Sequence, residues 1–203
     1  PVSTWLEGDI QGAVGNHART RVLHNVIDDE VFTPATRPGD RDPEQILFVG
    51  VIRHVKGLDV LVRAFAHLAP RRPALRLLAM GAGFYRGYRQ DEEKVRALVR
   101  ELRLEERIRF SGQAQPAEVA EAMRRSALLV VPSRRETFSS VAAEAIACGT
   151  PVVATQCGGP ADIITPANGR LVPTEAPMAL AEAIDEVLGR RAAFDPAVLH
   201  ADA

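Results

Sequence analysis

The stretch SRRETFSSVAAEAIACGTPVVAT, Ser133 to Thr155, decides the fold of this chain. It follows a fully apolar run, Ala127 to Val131, and ends in a second apolar run that begins at Pro151. Between the two runs, Ser139 opens a helix of small residues that ends at Gly149. Short apolar runs bounded by turn residues are typical of buried strands. The stretch therefore predicts a strand, a polar loop, a helix and a second strand.

The start of this helix is a predicted anion site. Unpaired N–H groups and the positive end of the helix dipole point out of a helix N-terminus, where phosphate groups bind readily. Two carboxylates bracket the site, because Glu136 precedes the helix and Glu144 lies in its second turn. We expect Ser139 and Ser140 to cap the helix and to contact phosphate with their hydroxyls. N–H groups that donate to phosphate, placed between two carboxylates that accept hydrogen bonds from hydroxyl groups, suit a sugar nucleotide.

The surroundings of Glu144 strengthen this interpretation. Apolar residues precede it from Val141 to Ala143 and follow it from Ala145 to Ala147. A carboxylate within an apolar helix needs a partner. The alternatives are a helix-dipole role for Glu136 and a surface or capped position for Glu144. Arg134 and Arg135, in the same loop as Glu136, are expected to be exposed, and contact with phosphate or with the acceptor is the less favoured alternative.

The rest of the chain alternates between predicted strands and predicted helices. The strands are 21–26, 45–51, 75–80, 107–111, 127–131, 151–155 and an edge strand around 170–172. The helices begin at Gly57, Pro116 and Ser139, or lie around 95–102, 160–164 and 178–188. This alternation predicts an α/β fold, a single Rossmann-like domain with a doubly wound parallel sheet. Ligands of such sheets bind at the carboxyl ends of the strands, at a switch in strand order.

Length and composition predict one globular domain. The sequence has 203 residues, of which 46% are hydrophobic and 25% charged. We divide it into a leading segment, 1–20, a nucleotide-sugar-binding domain, 21–190, and a tail, 191–203, that is either a final helix or disordered. The net charge of −1 gives no electrostatic reason to expect nucleic acid or an anionic membrane as a partner. No apolar run approaches the roughly 20 residues that span a bilayer.

Cysteine and histidine usage limits the classes of site. Cys148 and Cys157 lack the spacing of metal ligands or of a disulfide framework, so we expect buried free thiols in a reducing compartment. None of the five histidines pairs with another at ligand spacing, which argues against a metal site.

Two glycine-containing loops follow predicted strands. In GVIRHVKG, Gly50 to Gly57, Lys56 enters a strand–helix turn, where its charge can neutralise a diphosphate. The alternative is a solvated lysine at a helix start, where its charge is mildly unfavourable. The second loop, Gly81 to Gly83, lacks the third glycine of a dinucleotide fingerprint, which counts against a nicotinamide dehydrogenase.

The central stretch also carries a family resemblance. It resembles the E-x7-E motif of the retaining glycosyltransferases of family 4, the glycosyl transferases group 1, with Glu136 and Glu144 in the two Glu positions. The block ACGTPVVAT, 147–155, followed by Gly158 and Gly159, is similar to the usual continuation of that motif. The resemblance covers about residues 21–190.

Two further segments match the family's pattern, each with a departure. Gly50, Lys56 and Gly57 match the family's G-R-x-x-x-x-K-G, but the expected Arg is Val51 and the nearest Arg is Arg53. The segment near residue 25 resembles the linker by which the family's carboxy-terminal domain is entered. The matching positions there are Asn25, Asp28, Phe32 and Pro34, while His24 and Val26 depart from the usual Pro and Gly.

The resemblance implies roles for individual residues. In the resembled enzymes the first Glu binds a hydroxyl of the donor sugar, and the second binds the ribose hydroxyls. The donor-binding residues implied here are Gly50, Lys56, Glu136, Phe138, Ser139, Ser140, Val141 and Glu144. The implied catalytic residues are Lys56, Glu136 and Arg53, although whether Arg53 reaches the diphosphate is left open. No metal and no other cofactor is expected.

The implied fold and function are those of the carboxy-terminal domain of a GT-B glycosyltransferase. Its relatives transfer a sugar from a nucleoside diphosphate to an acceptor with retained anomeric configuration. The amino-terminal domain, which supplies the acceptor site, is absent from this sequence, so we expect little or no transfer by this chain alone. A sugar-nucleotide epimerase and a non-catalytic nucleotide-binding module remain alternatives. We expect a cytoplasmic location, with peripheral attachment of the full-length enzyme to a membrane left open.

Overall fold

The computed structural model describes residues 1–14, 20–35, 41–83 and 89–201. Its centre is a sheet of six parallel strands in the order β3-β2-β1-β4-β5-β6. The strands are β1 (Asp42–Val49), β2 (Arg76–Met80), β3 (Ile108–Gly112), β4 (Ser126–Val131), β5 (Val152–Thr155) and β6 (Gly169–Val172). The helices are α1 (Thr4–Val14), α2 (Leu58–Leu68), α3 (Arg89–Glu101), α4 (Pro116–Arg125), α5 (Ser140–Ala147), α6 (Pro160–Ile163), α7 (Pro177–Gly189) and α8 (Pro196–Ala201).

Helices cover both faces of the sheet. Helices α2, α3 and α7 pack together on one side, and α4, α5 and α8 pack on the other. Every residue of β4 and β5 is buried, which explains why these strands read as unbroken apolar runs. The prediction of a doubly wound, Rossmann-like parallel sheet is therefore confirmed.

Most predicted elements are confirmed within a few residues, but one strand is wrong. Residues 21–26 form no strand, and the side chains of Leu23 and Val26 are 67% and 96% exposed. This segment crosses the outside of the domain, where Leu23 N–H bonds the Pro1 carbonyl and Asn25 reaches Ser140. Its apolar residues do not alternate, so a strand here would have had no consistent buried face.

The strand order reverses between β1 and β4, which lie side by side with Leu47 opposite Leu129. From β1 the chain winds outward through β2 and β3, and from β4 it winds the other way through β5 and β6. The loops that leave the carboxyl ends of β1 and β4 therefore flank a crevice. These loops are 50–57 and 132–139, which contain the predicted site residues.

The two loops at this crevice are in direct contact. Gly57 has a left-handed backbone (φ 68°), and a Cβ on it would lie 1.9 Å from the carbonyl oxygen of Pro132. No side chain fits at that distance, so only glycine lets the 50–57 loop lie against the end of β4.

The segments that precede β1 and follow α7 also pack against the rest of the domain. In α1, the N–H and hydroxyl of Thr4 both bond the Asp162 carboxylate. At the other end, Phe194 and Leu199 are buried in the core, and a ring nitrogen of His200 lies 2.8 Å from the Ala147 carbonyl oxygen. The helix option for the tail is thus the one observed, from Pro196 to Ala201.

Replacing Gly57 by alanine tests the contact between the two loops. We expect Gly57→Ala to lower the free energy of unfolding by about 3 kcal/mol or more, because it adds a backbone clash to the cost of a left-handed alanine. Gly112→Ala is the matched control, since Gly112 is also left-handed (φ 77°) but its Cβ would meet no atom within 4 Å. The control should lose only about 1 kcal/mol. Equal losses in urea denaturation would contradict the clash.

Candidate functional site

Lys56 and Glu136 meet at the crevice between β1 and β4. Lys56 Nζ lies 2.5 Å from Glu136 Oε1, and the Ser133 hydroxyl donates to the same oxygen at 2.8 Å. The Glu136 side chain is 10% exposed and that of Lys56 is 31% exposed. A charge-assisted bond in such a partly buried place is stronger than a surface ion pair. The structure therefore brings together two of the predicted site residues from loops 80 positions apart.

The backbone around Glu136 is fixed by the loop after β5. Glu136 N–H donates to the Cys157 carbonyl at 3.0 Å, and the Glu136 carbonyl accepts from Gly159 N–H at 2.9 Å. A Cβ on Gly159 would lie 2.3 Å from the Cα of Phe138. The Gly158–Gly159 pair seen in the sequence thus allows this loop to lie directly against the backbone that carries Glu136.

Ser139, at the N-cap position of α5, differs from the expected capping geometry. Its backbone is left-handed (φ 83°, ψ 63°), and its hydroxyl makes no capping bond, so the capping prediction is wrong for Ser139. The Ser139 Oγ is buried and has no hydrogen-bond partner in the part of the chain that the structure describes. Ser140 instead places its Oγ 3.4 Å from Asn25 Nδ2. Backbone strain and an unpaired buried hydroxyl in one residue are a typical signature of a functional site.

The N-terminal turn of α5 presents N–H groups to the crevice. Ala142 and Ala143 N–H both donate to the Ser139 carbonyl, so the helical bonds begin at that point. The N–H groups of Ser140 and Val141 precede it and have no carbonyl one turn earlier in the helix. Phe138 is buried beside them, with its ring centroid 5.4 Å from that of His24.

Glu144 lies one turn further along α5 and is half-buried. None of the described residues donates a hydrogen bond to its carboxylate. Burial raises the pKa of Glu144, because the charged form loses hydration. Glu144 therefore does not lie on a purely solvated face, as its apolar neighbours in the sequence predicted, and its carboxylate has no partner among the described residues.

The remaining predicted site residues lie near the 50–57 loop. Gly50 follows the carboxyl end of β1, where its N–H donates to the Met80 carbonyl at 3.0 Å. Arg53 is exposed and lines a separate pocket of about 550 Å³ between α2 and α3, together with Asp59 and Lys94. The catalytic assignment of Arg53 stays a prediction.

Metal ligands do not cluster in the described part of the chain. No group of three or more His, Cys, Asp or Glu residues there could hold a metal ion. The sequence contains one Asp-x-Asp triplet, 40–42, but Asp42 begins β1 at the opposite edge of the sheet and pairs with Arg76 at 2.6 Å. Cys148 and Cys157 are free and buried, and burial raises the pKa of Cys148 to about 12.

Arg134 makes contacts that the sequence did not predict. The expectation of exposure is confirmed for Arg135, whose side chain is 64% exposed, but it is wrong for Arg134, whose side chain is 16% exposed. The Arg134 guanidinium donates to both oxygens of Asp59 at 2.8 Å. The two residues are 75 positions apart, so no local pattern could have indicated the pair.

The sequence matches the model of a known protein family. The profile of the family described as glycosyl transferases group 1 matches residues 34–193. A D-inositol 3-phosphate glycosyltransferase of Mycobacteroides abscessus is 35% identical over 202 residues, which is 95% of this chain but 44% of that protein. This chain therefore spans less than half the length of that curated relative.

Solved structures show the same fold. Anabaena HepE, solved with UDP and glucose, superimposes with a TM-score of 0.86 at 22% identity, over 98% of this chain and 56% of that one. The carboxy-terminal domain of a glycosyl transferase group 1 family protein (LpcC) from Francisella tularensis gives a TM-score of 0.74 at 24% identity, over 86% of this chain and 96% of that one. In the described ranges, no helix has both the length and the apolar character needed to cross a bilayer. By the family profile and the sequence identity to its relatives, the chain belongs to the glycosyl transferases group 1 family.

Proposed function

We propose that this chain is the donor-binding domain of a retaining glycosyltransferase and that it holds a nucleoside-diphosphate sugar at the β1–β4 crevice. One observation carries the proposal. Lys56 and Glu136 meet beside the start of α5 where the strand order reverses, and Glu144 follows within that helix. Among the described residues, neither the Ser139 hydroxyl nor the Glu144 carboxylate has a hydrogen-bond partner. Buried groups of this kind are normally satisfied, so a ligand with phosphate and hydroxyl groups would complete the site.

The diphosphate of the donor would lie at the start of α5. The N–H groups of Ser140 and Val141, together with the helix dipole, favour an anion there. Ser139 Oγ would donate to a phosphate oxygen, which would satisfy a buried hydroxyl that no described residue pairs with. Lys56 Nζ, which comes from the opposite loop, would stabilise the charge that develops on the leaving diphosphate.

The two carboxylates would bind the hydroxyl groups of the donor. Glu136 uses Oε1 for both Lys56 and Ser133, while no described residue donates to its Oε2. That second oxygen would accept a hydroxyl of the sugar. Glu144 would accept the ribose hydroxyls, which supply the donors that its carboxylate lacks. Sites built to bind hydroxyl groups strongly reject analogues that lack them.

Transfer would proceed with retention, with the leaving phosphate oxygen deprotonating the acceptor on the same face of the sugar. We propose that the charges on the protein, rather than a metal ion, stabilise the diphosphate. The complex of HepE with UDP and glucose supports a nucleotide donor for a fold of this shape. The buried free thiols of Cys148 and Cys157 fit a reducing, cytoplasmic compartment.

Titration of the chain with UDP, GDP, ADP and dTDP, each free and linked to a sugar, tests the proposal. We expect Glu144→Gln to weaken nucleotide binding by about 1–3 kcal/mol, or roughly 5- to 150-fold, because charged hydrogen bonds to ribose are lost. Wild-type affinity should also fall as the pH decreases through the raised pKa of Glu144, and the variant should lack that component. Calorimetry at several pH values measures both effects.

The free protein gives a control for the same variant. Because burial raises the folded-state pKa of Glu144, its ionised form destabilises the fold above that pKa and has no effect below the unfolded pKa of about 4.3. Glu144→Gln should therefore be more stable than wild type at neutral pH, and the difference should vanish in acid. A variant with unchanged nucleotide affinity and this stability profile would rule out the ribose role.

Replacing Ser139 by glycine separates stability from binding. Ser139→Gly removes a left-handed serine and an unpaired buried hydroxyl, so we expect the free energy of unfolding to rise by about 1 kcal/mol. The same change should weaken diphosphate binding about 5-fold or more, because a donor to phosphate is lost. Thermal denaturation and calorimetry of one preparation measure the two effects. A variant that gains affinity, or that loses stability, contradicts the proposed role of the hydroxyl.

Sugar transfer by the 203-residue chain is the final measurement. The chain covers 44% of the length of its M. abscessus relative, and we expect the acceptor to bind mainly outside it. Nucleotide binding should therefore be measurable while turnover stays at or near background. Turnover close to that of a full-length relative would contradict the expectation that the acceptor binds mainly outside this chain. It would not contradict the donor site.

A further inference from the structure

We propose that Arg134 is a positioning residue that clamps the 50–57 loop to the 132–139 loop and thereby sets the Lys56–Glu136 pair. The effect that this inference predicts on ligand binding rests on the proposed donor site. Arg134 does not touch that pair. It acts through the backbone on which Lys56 and Glu136 are carried.

The guanidinium of Arg134 is held by three partners from different elements. It forms the two parallel bonds to Asp59 at the start of α2, and it also donates to the His54 carbonyl. A third contact, to Glu175, comes from the loop between β6 and α7. The planar fork of arginine matches a carboxylate in two places at once, so it fixes orientation as well as distance.

The backbone of Arg134 adds a fourth connection. Its N–H donates to the Val55 carbonyl at 2.8 Å, next to the His54 carbonyl that its side chain binds. Both acceptors lie in the short 3-10 turn His54–Lys56, immediately before the Gly57 contact with Pro132. The loop with Lys56 is thus tied to the loop with Glu136 at two successive carbonyls.

Stability alone does not account for this arrangement. A buried arginine–carboxylate pair is often no more stabilising than packed apolar side chains of the same volume. What the contacts of Arg134 add is a fixed geometry. Arg134 lies two residues before Glu136, and the His54 and Val55 carbonyls that it binds lie two residues and one residue before Lys56. Groups that bind a diphosphate and a sugar must be held within about 0.5 Å of their productive positions, and supporting contacts of this kind do so.

Arg72 provides a matched control at the other end of the domain. It follows α2 and donates to the Asp185 carboxylate at 2.5 Å, and its side chain is 24% exposed. Like Arg134, it is a largely buried arginine paired with an aspartate on the α2 side of the sheet. It lies before β2, at the edge opposite the crevice.

The test compares Arg134→Ala, Arg134→Lys and Arg72→Ala in the 203-residue chain. Both alanine variants should lose stability. Only the Arg134 variants should show faster amide hydrogen exchange in both 53–57 and 133–138. They should also bind UDP-glucose about 10-fold more weakly while UMP, which lacks the second phosphate and the sugar, changes by less than about 3-fold. Arg134→Lys should bind UDP-glucose about as weakly as Arg134→Ala, since lysine cannot form the two parallel bonds to Asp59.

Two results would overturn the clamp. If amide hydrogen exchange in the Arg134 variants becomes faster in one loop alone, or in neither loop, then Arg134 does not couple the two loops. Equal weakening of UDP-glucose and UMP would show a general loss of the fold instead of a displaced Lys56–Glu136 pair. If wild type binds neither ligand, uridine is excluded as the base of the proposed donor, and the exchange comparison with Arg72→Ala alone decides whether the loops are clamped.

Discussion

The site depends on how closely two loops approach each other at the point where the strand order reverses. Gly57 lies against the Pro132 carbonyl with no room for a Cβ, and this contact brings Lys56 Nζ to 2.5 Å from Glu136 Oε1. Parallel strands place the ends of β1 and β4 at one edge, but they do not set the separation of the loops. The glycine and the contacts of Arg134 set it, and the ion pair is a consequence.

Polar groups at the start of α5 are arranged at a cost to stability. Ser139 combines a left-handed backbone with a buried, unpaired hydroxyl, and Glu144 is a half-buried carboxylate with no donor in the described ranges. Neither feature helps the free protein fold, since each leaves a group unsatisfied or strained. In the proposed complex, a phosphate and a ribose would supply the missing partners. The two features are therefore better explained by binding than by folding.

The sequence predicts much of this structure because its signals are local. Unbroken apolar runs identify β4 and β5, and the loops that follow predicted strands place Lys56 and Glu136 at one edge of the sheet. The failures involve long-range or conformational information. The pairing of Arg134 with Asp59 joins distant positions, and the left-handed backbone of Ser139 is uncommon for any residue with a side chain. Residues 21–26 look like a strand because local apolar content does not reveal whether a neighbouring strand exists.

The Lys56–Glu136 pair has a consequence for which ligands the site can prefer. The Glu136 side chain is 10% exposed, so drawing Lys56 away toward a phosphate would leave a poorly hydrated carboxylate that has only Ser133 as a donor among the described residues. At the proposed donor site, a nucleoside diphosphate alone would satisfy the lysine but not the glutamate. A sugar nucleotide would satisfy both, with its phosphate on Lys56 and a sugar hydroxyl donating to Glu136. Because an unpaired buried charge is costly, this coupling favours the intact donor over the product that remains after transfer.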